Sequence, residues 1–220
     1  VTEKKTKRAI VSIAAGLAVC VMLTSCGGND EPEEQRVTAA QQCDDALSPA
    51  AARALEAVLR TARFDHGPKG GLDRIATQLT EDYEEGGLRS RARRMCRAGA
   101  AGAPGRIDIS FSRYDDSDLF GEIRPDGLHP YLLGREAMTG PEAAYLFVQC
   151  VSPQLKGSQE RPAQIDGRLL VEEVKLPDTP PIREANLTVL HSVTLAVVKK
   201  LGCENNAGLP DKPVFRPRPD

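Results

Sequence analysis

Few residue types in this 220-residue chain can do chemistry: six cysteines, three histidines, one cluster of aspartates and one of arginines. Acid–base catalysis near neutral pH needs a group that titrates there, and histidine does so unperturbed. His66 stands before Gly67-Pro68, His129 before Pro130, and His191 within an apolar stretch, so the spacing groups none of them. Ser112, Asp126 and His129 supply the types of a nucleophile–acid–base set, yet no Gly-x-Ser-x-Gly elbow presents the serine. No enzyme and no catalytic residue is predicted. Asp115, Asp116 and Asp118 offer the hard oxygens that calcium prefers, but Phe120 occupies a ligand position and no glutamate follows Gly121 at six residues. A solvated turn is the better reading.

The cysteines form no Cys-x-x-Cys pair and share no ligand spacing with a histidine, so no metal site is expected. Gly99 to Gly105 are spaced glycines without the Gly-Lys-Ser/Thr of a phosphate loop, so no cofactor is expected either. Arg89, Arg91, Arg93, Arg94 and Arg97 make the densest basic segment. On a helix Arg89, Arg93 and Arg97 align at four-residue intervals, either as a solvated face or as a contact for an acidic partner, an anionic headgroup or a phosphate-rich polymer. Over the whole chain 29 basic and 31 acidic side chains leave a net charge of −2, which gives no field to draw nucleic acid.

The N-terminus reads as an address. Lys4, Lys5, Lys7 and Arg8 precede an apolar run from Ala9 to Leu23, broken by Ser12 and Gly16. This is the n-region and h-region of a signal peptide, and it falls short of the roughly 20 residues a membrane span needs. Leu23-Thr24-Ser25-Cys26 then resembles the bacterial lipobox. The resemblance implies cleavage after residue 25 and a diacylglyceryl thioether on Cys26, with two acyl chains holding the protein on the extracytoplasmic face of the cell membrane. Residues 26–42, with Asp30, Glu31, Glu33 and Glu34, read as the lipidated cysteine and a flexible acidic tether.

Cys43, Cys96, Cys150 and Cys203 remain, an even number in an exported chain, where disulfides persist. Three connectivities are open. Cys43–Cys96 and Cys150–Cys203 are preferred, because two antiparallel helices would return Cys96 beside Cys43, and a last helix would carry Cys203 back to the strand of Cys150.

These residues need elements to position them. Ser48 and Pro49 open a helix through Ala52, Leu55, Val58, Leu59 and Ala62. A second helical stretch from Leu72 to Tyr83 breaks at Gly86-Gly87 and resumes over Leu88 to Arg97. Arg106 to Ser112 alternates with period two, a half-buried strand; Tyr145 to Val151 and Leu169 to Val174 read as two more, paired antiparallel. A last helix from near Arg183 stripes Leu187, Leu190, Val193, Val197 and Leu201, with Gly202 closing it. Its Asn186-Leu187-Thr188 matches a glycosylation acceptor in an unsuitable helical context. Residues 205–220, with four prolines, read as an extended tail without a core face.

The sum is one α+β domain over 43–204, a small antiparallel sheet of three or more strands covered by N-terminal helices and a C-terminal helix. Ala144 to Pro153 and Val198 to Cys203 resemble the matching segments of actinobacterial (Streptomyces-like) lipobox-containing surface lipoproteins, a resemblance that brings no activity with it. The functional expectation is a lipid-anchored, non-catalytic binding or envelope-accessory protein whose partner is an envelope protein or cell-wall component; a small-solute or ion-binding lipoprotein is the alternative, and an envelope hydrolase a distant third. The long stretch Asp115 to Ala143 should carry recognition through Phe120 and Tyr131 if its apolar residues are exposed, or serve as extra core if they fold back. The arginine face of Arg89, Arg93 and Arg97 is the next candidate surface.

Overall fold

A computed structural model describes residues 36–123 and 125–219. The signal segment, the lipobox with Cys26 and the acidic run of the expected tether lie outside the described residues. The end of that segment, 36–42, is no flexible tether: Arg36–Val37 is a strand, Ala39–Gln41 a 3-10 turn, and Val37, Ala39 and Gln42 are buried. The chain is α+β. Strand β1 (Arg36–Val37) pairs antiparallel with β2 (Phe64–Asp65) in a two-stranded ribbon. Helices α1 (Pro49–Leu59) and α2 (Gly71–Glu84) precede β3 (Arg93–Gly99) and β4 (Arg106–Arg113). Then come β5 (His129–Tyr131), β6 (Glu136–Thr139), β7 (Ala143–Cys150), β8 (Ala163–Glu172) and helix α3 (Pro180–Lys200). The main sheet has six antiparallel strands in the order β3-β4-β8-β7-β6-β5.

Helix α1 starts where its sequence says it should: Ser48 Oγ accepts the Ala51 N–H at 3.2 Å and Pro49 fills the first turn. It ends at Arg60 in the left-handed region, short of the expected Ala62. Asp44 caps α2 from a distance in sequence, its carboxylate accepting the N–H groups of Gly70 and Leu72 at 2.9 and 2.7 Å. Helix α3 is buried nearly all round, from Asn186 to Val198, because it lies between the sheet and α1. The single stripe read from its sequence is one of two buried sides. Gly167 of β8 lets it approach: a Cβ there would meet Phe111 and Thr194 side chains at 2.9 Å each. Gly202, at φ +66°, ends the helix as expected.

Both preferred disulfides are formed, Cys43–Cys96 and Cys150–Cys203. The first is reached by another route than expected. Leu88 to Arg97 is not helical: Arg93 to Gly99 is strand β3, and Cys96 lies on it opposite Ile109. A β-bulge between Arg94 and Cys96 turns the consecutive Met95 and Cys96 both inward, which breaks the period-two alternation that would have revealed the strand.

The long stretch after β4 is also sheet in part. Its second half supplies β5 and β6, and Tyr131, Leu133, Ala137 and Met138 are buried. The tail has a core face after all. Leu132 N–H donates to the Arg216 carbonyl and Arg218 N–H to that of Pro130, so the tail lines the β5 edge, with Phe215 against Tyr131. No described helix is long and apolar enough to cross a membrane.

Candidate functional site

Helices α2 and α3 cover one face of the sheet, with α1 packed on α3, and that face carries Ile107, Ile109 and Phe111 of β4, Leu146 and Val148 of β7, and Ile165 and Leu169 of β8. Strand alternation sends the intervening residues to the opposite, uncovered face. In register across that face stand Ser112 on β4, Asp166 on β8, Phe147 on β7 and Glu136 on β6. A neighbouring row brings Arg168 beside Tyr145. The turn from Tyr114 to Phe120 folds over these rows. Its Phe120 ring stands edge-on to Tyr145 at 5.4 Å and to Phe147 at 6.1 Å, while Tyr114 meets Phe147 at 5.0 Å.

The turn is tied down by polar contacts along its length. Asp115 accepts the Ser117 N–H, Asp118 pairs with Arg89 at 2.7 Å, and Asp116 takes Gln164 at 2.7 Å and Arg135 at 3.2 Å. Glu136 accepts the Phe120 N–H at 2.9 Å. The aspartate cluster therefore works as turn chemistry, its carboxylates committed to backbone and arginines. Among the described residues no three metal-ligating side chains come together.

Between the turn and the sheet is a recess of about 350 Å³, at the small end of the ~300–1,000 Å³ typical of ligand sites. Asp166, Arg168, Ser112, Tyr114, Tyr145 and Phe120 line it. Asp166 is only 4% exposed. One of its oxygens accepts Arg168 at 3.2 Å, and Oδ1 has no hydrogen-bond partner. Burial pushes this carboxyl up to about 6, with Arg168 and the neighbouring Ser112 hydroxyl only partly opposing it. Arg168 lies over the Tyr145 ring, its Cζ 5.1 Å from the centroid, and leaves Nε–H unpartnered. The Tyr114 hydroxyl, also buried and unpartnered, is pushed upward by burial. Three orphan polar groups thus stand on the open face of the recess, with Arg113 Nε a fourth among its lining residues, and a buried polar atom without a partner costs about 1–3 kcal/mol.

The expected site residues are scattered by comparison. Phe120 lines the recess, whereas Tyr131 points into the helix-covered core at 4% exposure. Arg89 reaches Asp118 beside the recess. Arg93 pairs with Asp82 of α2 on the covered side, and Arg97 pairs with Asp108 on the other, because the bulge reverses the faces between them. The aligned arginine face does not form. His129 finds Asp178 at 3.0 Å instead of Asp126, and three strands separate its β5 from the β4 of Ser112, four strand spacings or roughly 19 Å. His191 is buried, which holds its imidazole below the usual value, and Asn186 is fully buried with its amide on the Gly140 carbonyl.

Asp166 and Arg168 were not singled out from the sequence. A signal was there: Ile165-Asp166-Gly167-Arg168-Leu169 alternates, and puts opposite charges two residues apart on the polar side of one strand. Nothing in it told which side would be roofed. Comparisons with family profiles, with curated proteins and with solved structures give no match for this chain.

Proposed function

We propose that the chain is a lipid-anchored extracytoplasmic binding protein, held on the cell membrane through Cys26, and that its binding site is the recess under the Tyr114–Phe120 turn. The lipobox-like Leu23-Thr24-Ser25-Cys26 supports the anchor, and the two disulfides suit an oxidising compartment outside the cytoplasm. One observation carries the binding reading. Asp166 is a buried carboxylate with an open acceptor oxygen, on the sheet face that no helix covers, and its desolvation is a cost the fold does not require. Such groups are kept where a ligand meets them.

The recess also favours the small-solute reading over a broad macromolecular contact. Its polar groups converge within a volume too small for a protein segment of any length, and aromatic rings form its walls. A catalytic role finds less support, since His129 and Ser112 lie apart.

Two experiments test the reading. Radiolabelled palmitate should enter the full chain and not Cys26→Ser, because serine has no thiolate to accept the lipid; label retained by the variant refutes the anchor. Pull-down from native membranes and extracts, followed by small-molecule and protein identification, should recover a ligand with wild type that Arg168→Glu loses. Equal recovery by both overturns the recess as the site.

A further inference from the structure

We propose that the recess takes a neutral polyhydroxylated ring, one sugar residue, held by Asp166, Arg168 and Tyr114 and packed on Tyr145 and Phe120. This deepens the binding reading above and rests on it.

The charges of the lining are already met in pairs. Arg168 faces Asp166, and Arg89 faces Asp118 and the Ser117 hydroxyl. The remaining arginine, Arg113, donates from Nη1 to the carbonyls of Asp82 and Gly87 and lies against the Tyr83 ring on the covered side, leaving its Nε unpartnered there. An anion entering the recess would meet Asp166 and Asp118, and a cation would meet Arg168 and Arg89, so neither gains a net field. What is unmet is hydrogen bonding: one acceptor in Asp166 Oδ1, one donor in Arg168 Nε–H, and one group that does both in the Tyr114 hydroxyl.

A hydroxyl is the common group that donates and accepts at once. Adjacent hydroxyls on a ring can give a proton to Asp166 Oδ1 and take one from Arg168 Nε–H, a planar acceptor and donor presented two residues apart on β8. The half-buried Tyr145 and Phe120 rings then offer apolar surface to the C–H side of the sugar. A carboxylate oxygen and an N–H that stay unmet within this ion pair select for a ligand hydroxyl, because a ligand without one leaves Asp166 Oδ1 and Arg168 Nε–H unpaired.

The test is saturation-transfer NMR on the full chain in detergent micelles. The probes are glucose, galactose, mannose, arabinose and rhamnose, a short oligosaccharide of whichever sugar responds, and two charged controls with observable methyl protons, N-methylarginine and methyl phosphate. At least one neutral sugar should receive saturation on its ring protons, with the signal falling more than ten-fold in Asp166→Asn and in Phe120→Ala, both checked for an unchanged circular dichroism spectrum. An oligosaccharide that competes with its monosaccharide and binds more tightly identifies the terminal residue of a polymer as the ligand; equal binding identifies the free sugar. If a charged control responds in an Asp166-dependent way and no sugar does, the recess is a site but the sugar proposal is overturned. If no sugar distinguishes wild type from the variants, the proposal is overturned as well, and the Arg168→Glu pull-down then decides separately whether the recess binds anything.

Discussion

Asp166 stores free energy against the fold. Its carboxyl is raised to about 6, so between its ordinary range and that value the native state holds a proton that the unfolded chain has released. Stability from this group is therefore present at about pH 4 and is lost as pH rises through about 6, on the order of 2–3 kcal/mol for a shift of this size. His191 acts with the opposite sign, since its lowered imidazole resists protonation in the fold and costs stability as pH falls below its ordinary value. Comparing wild type with Asp166→Asn cancels the histidine. The variant should melt higher than wild type at pH 7, and the advantage should vanish near about pH 4 in urea denaturation run at both values. A variant less stable at both would mean that the carboxylate supports the fold through Arg168. Ser48 is the contrasting residue, with its hydroxyl spent on structure: it accepts the Ala51 N–H while its own N–H donates to Ser192 on α3. Ser48→Ala should cost about 1 kcal/mol in denaturation and leave ligand capture unchanged.

At the scale of elements, the bulge in β3 explains how an arginine segment misleads. Arg89, Arg93 and Arg97 stand four apart as on a helix face, but Met95 and Cys96 both turn inward, and Arg93 and Arg97 end on opposite sides of the sheet. Pairing with β4, the next strand along the chain, overrides the local helical spacing. The C-terminal segment behaves similarly. Its prolines suggest an extended strand without partners, and that conformation suits a short edge addition to β5, anchored by Phe215 on Tyr131 at 6.2 Å. Arg218 carries the contact across to the turn, donating to the Gly121 carbonyl at 2.7 Å and lying 3.5 Å from Glu136. Phe215→Ala should release this edge: amide exchange at Leu132 and Arg218 should accelerate by at least ten-fold, with the midpoint of global unfolding little moved. Unchanged exchange would show that the backbone pairing holds the tail by itself.

For the whole molecule, the two disulfides divide the work. Cys43–Cys96 ties the segment before α1 to the first strand of the main sheet, and Cys150–Cys203 ties the end of α3 to β7. Each spans 53 residues, and the two loops do not overlap in sequence. The chain-entropy relation gives about 4 kcal/mol for a loop of this length. Replacing Cys150 and Cys203 by alanine should cost close to that, and replacing both pairs close to twice it, because the loops share no residue. A double loss much smaller than the sum, measured in guanidinium, would indicate that the unfolded chain keeps structure around one pair.

The sequence alone determined what rests on local or pairwise rules. Helix α1 follows from Ser48-Pro49 and its apolar spacing, β4 from strict alternation, the end of α3 from Gly202, and the preference for Cys150–Cys203 from the return of the last helix to its strand, whereas Cys43–Cys96 forms through a strand where a helical return was expected. These depend on backbone preference, period and chain connectivity, which a sequence carries within a short window. Tertiary structure decided which side of each element meets what. Tyr131 went inside and Phe120 over the open face, although both lie in one polar, loop-like stretch, because β5 and β6 added to a sheet edge that only β7 could provide. Asp166 reads as a surface charge on an alternating strand, and becomes a buried one only when the Tyr114–Phe120 turn, pinned by Arg89, by Arg135 and Glu136, and by Gln164, closes over it. Burial of a polar side chain depends on groups distant in sequence, and no local pattern encodes their arrival.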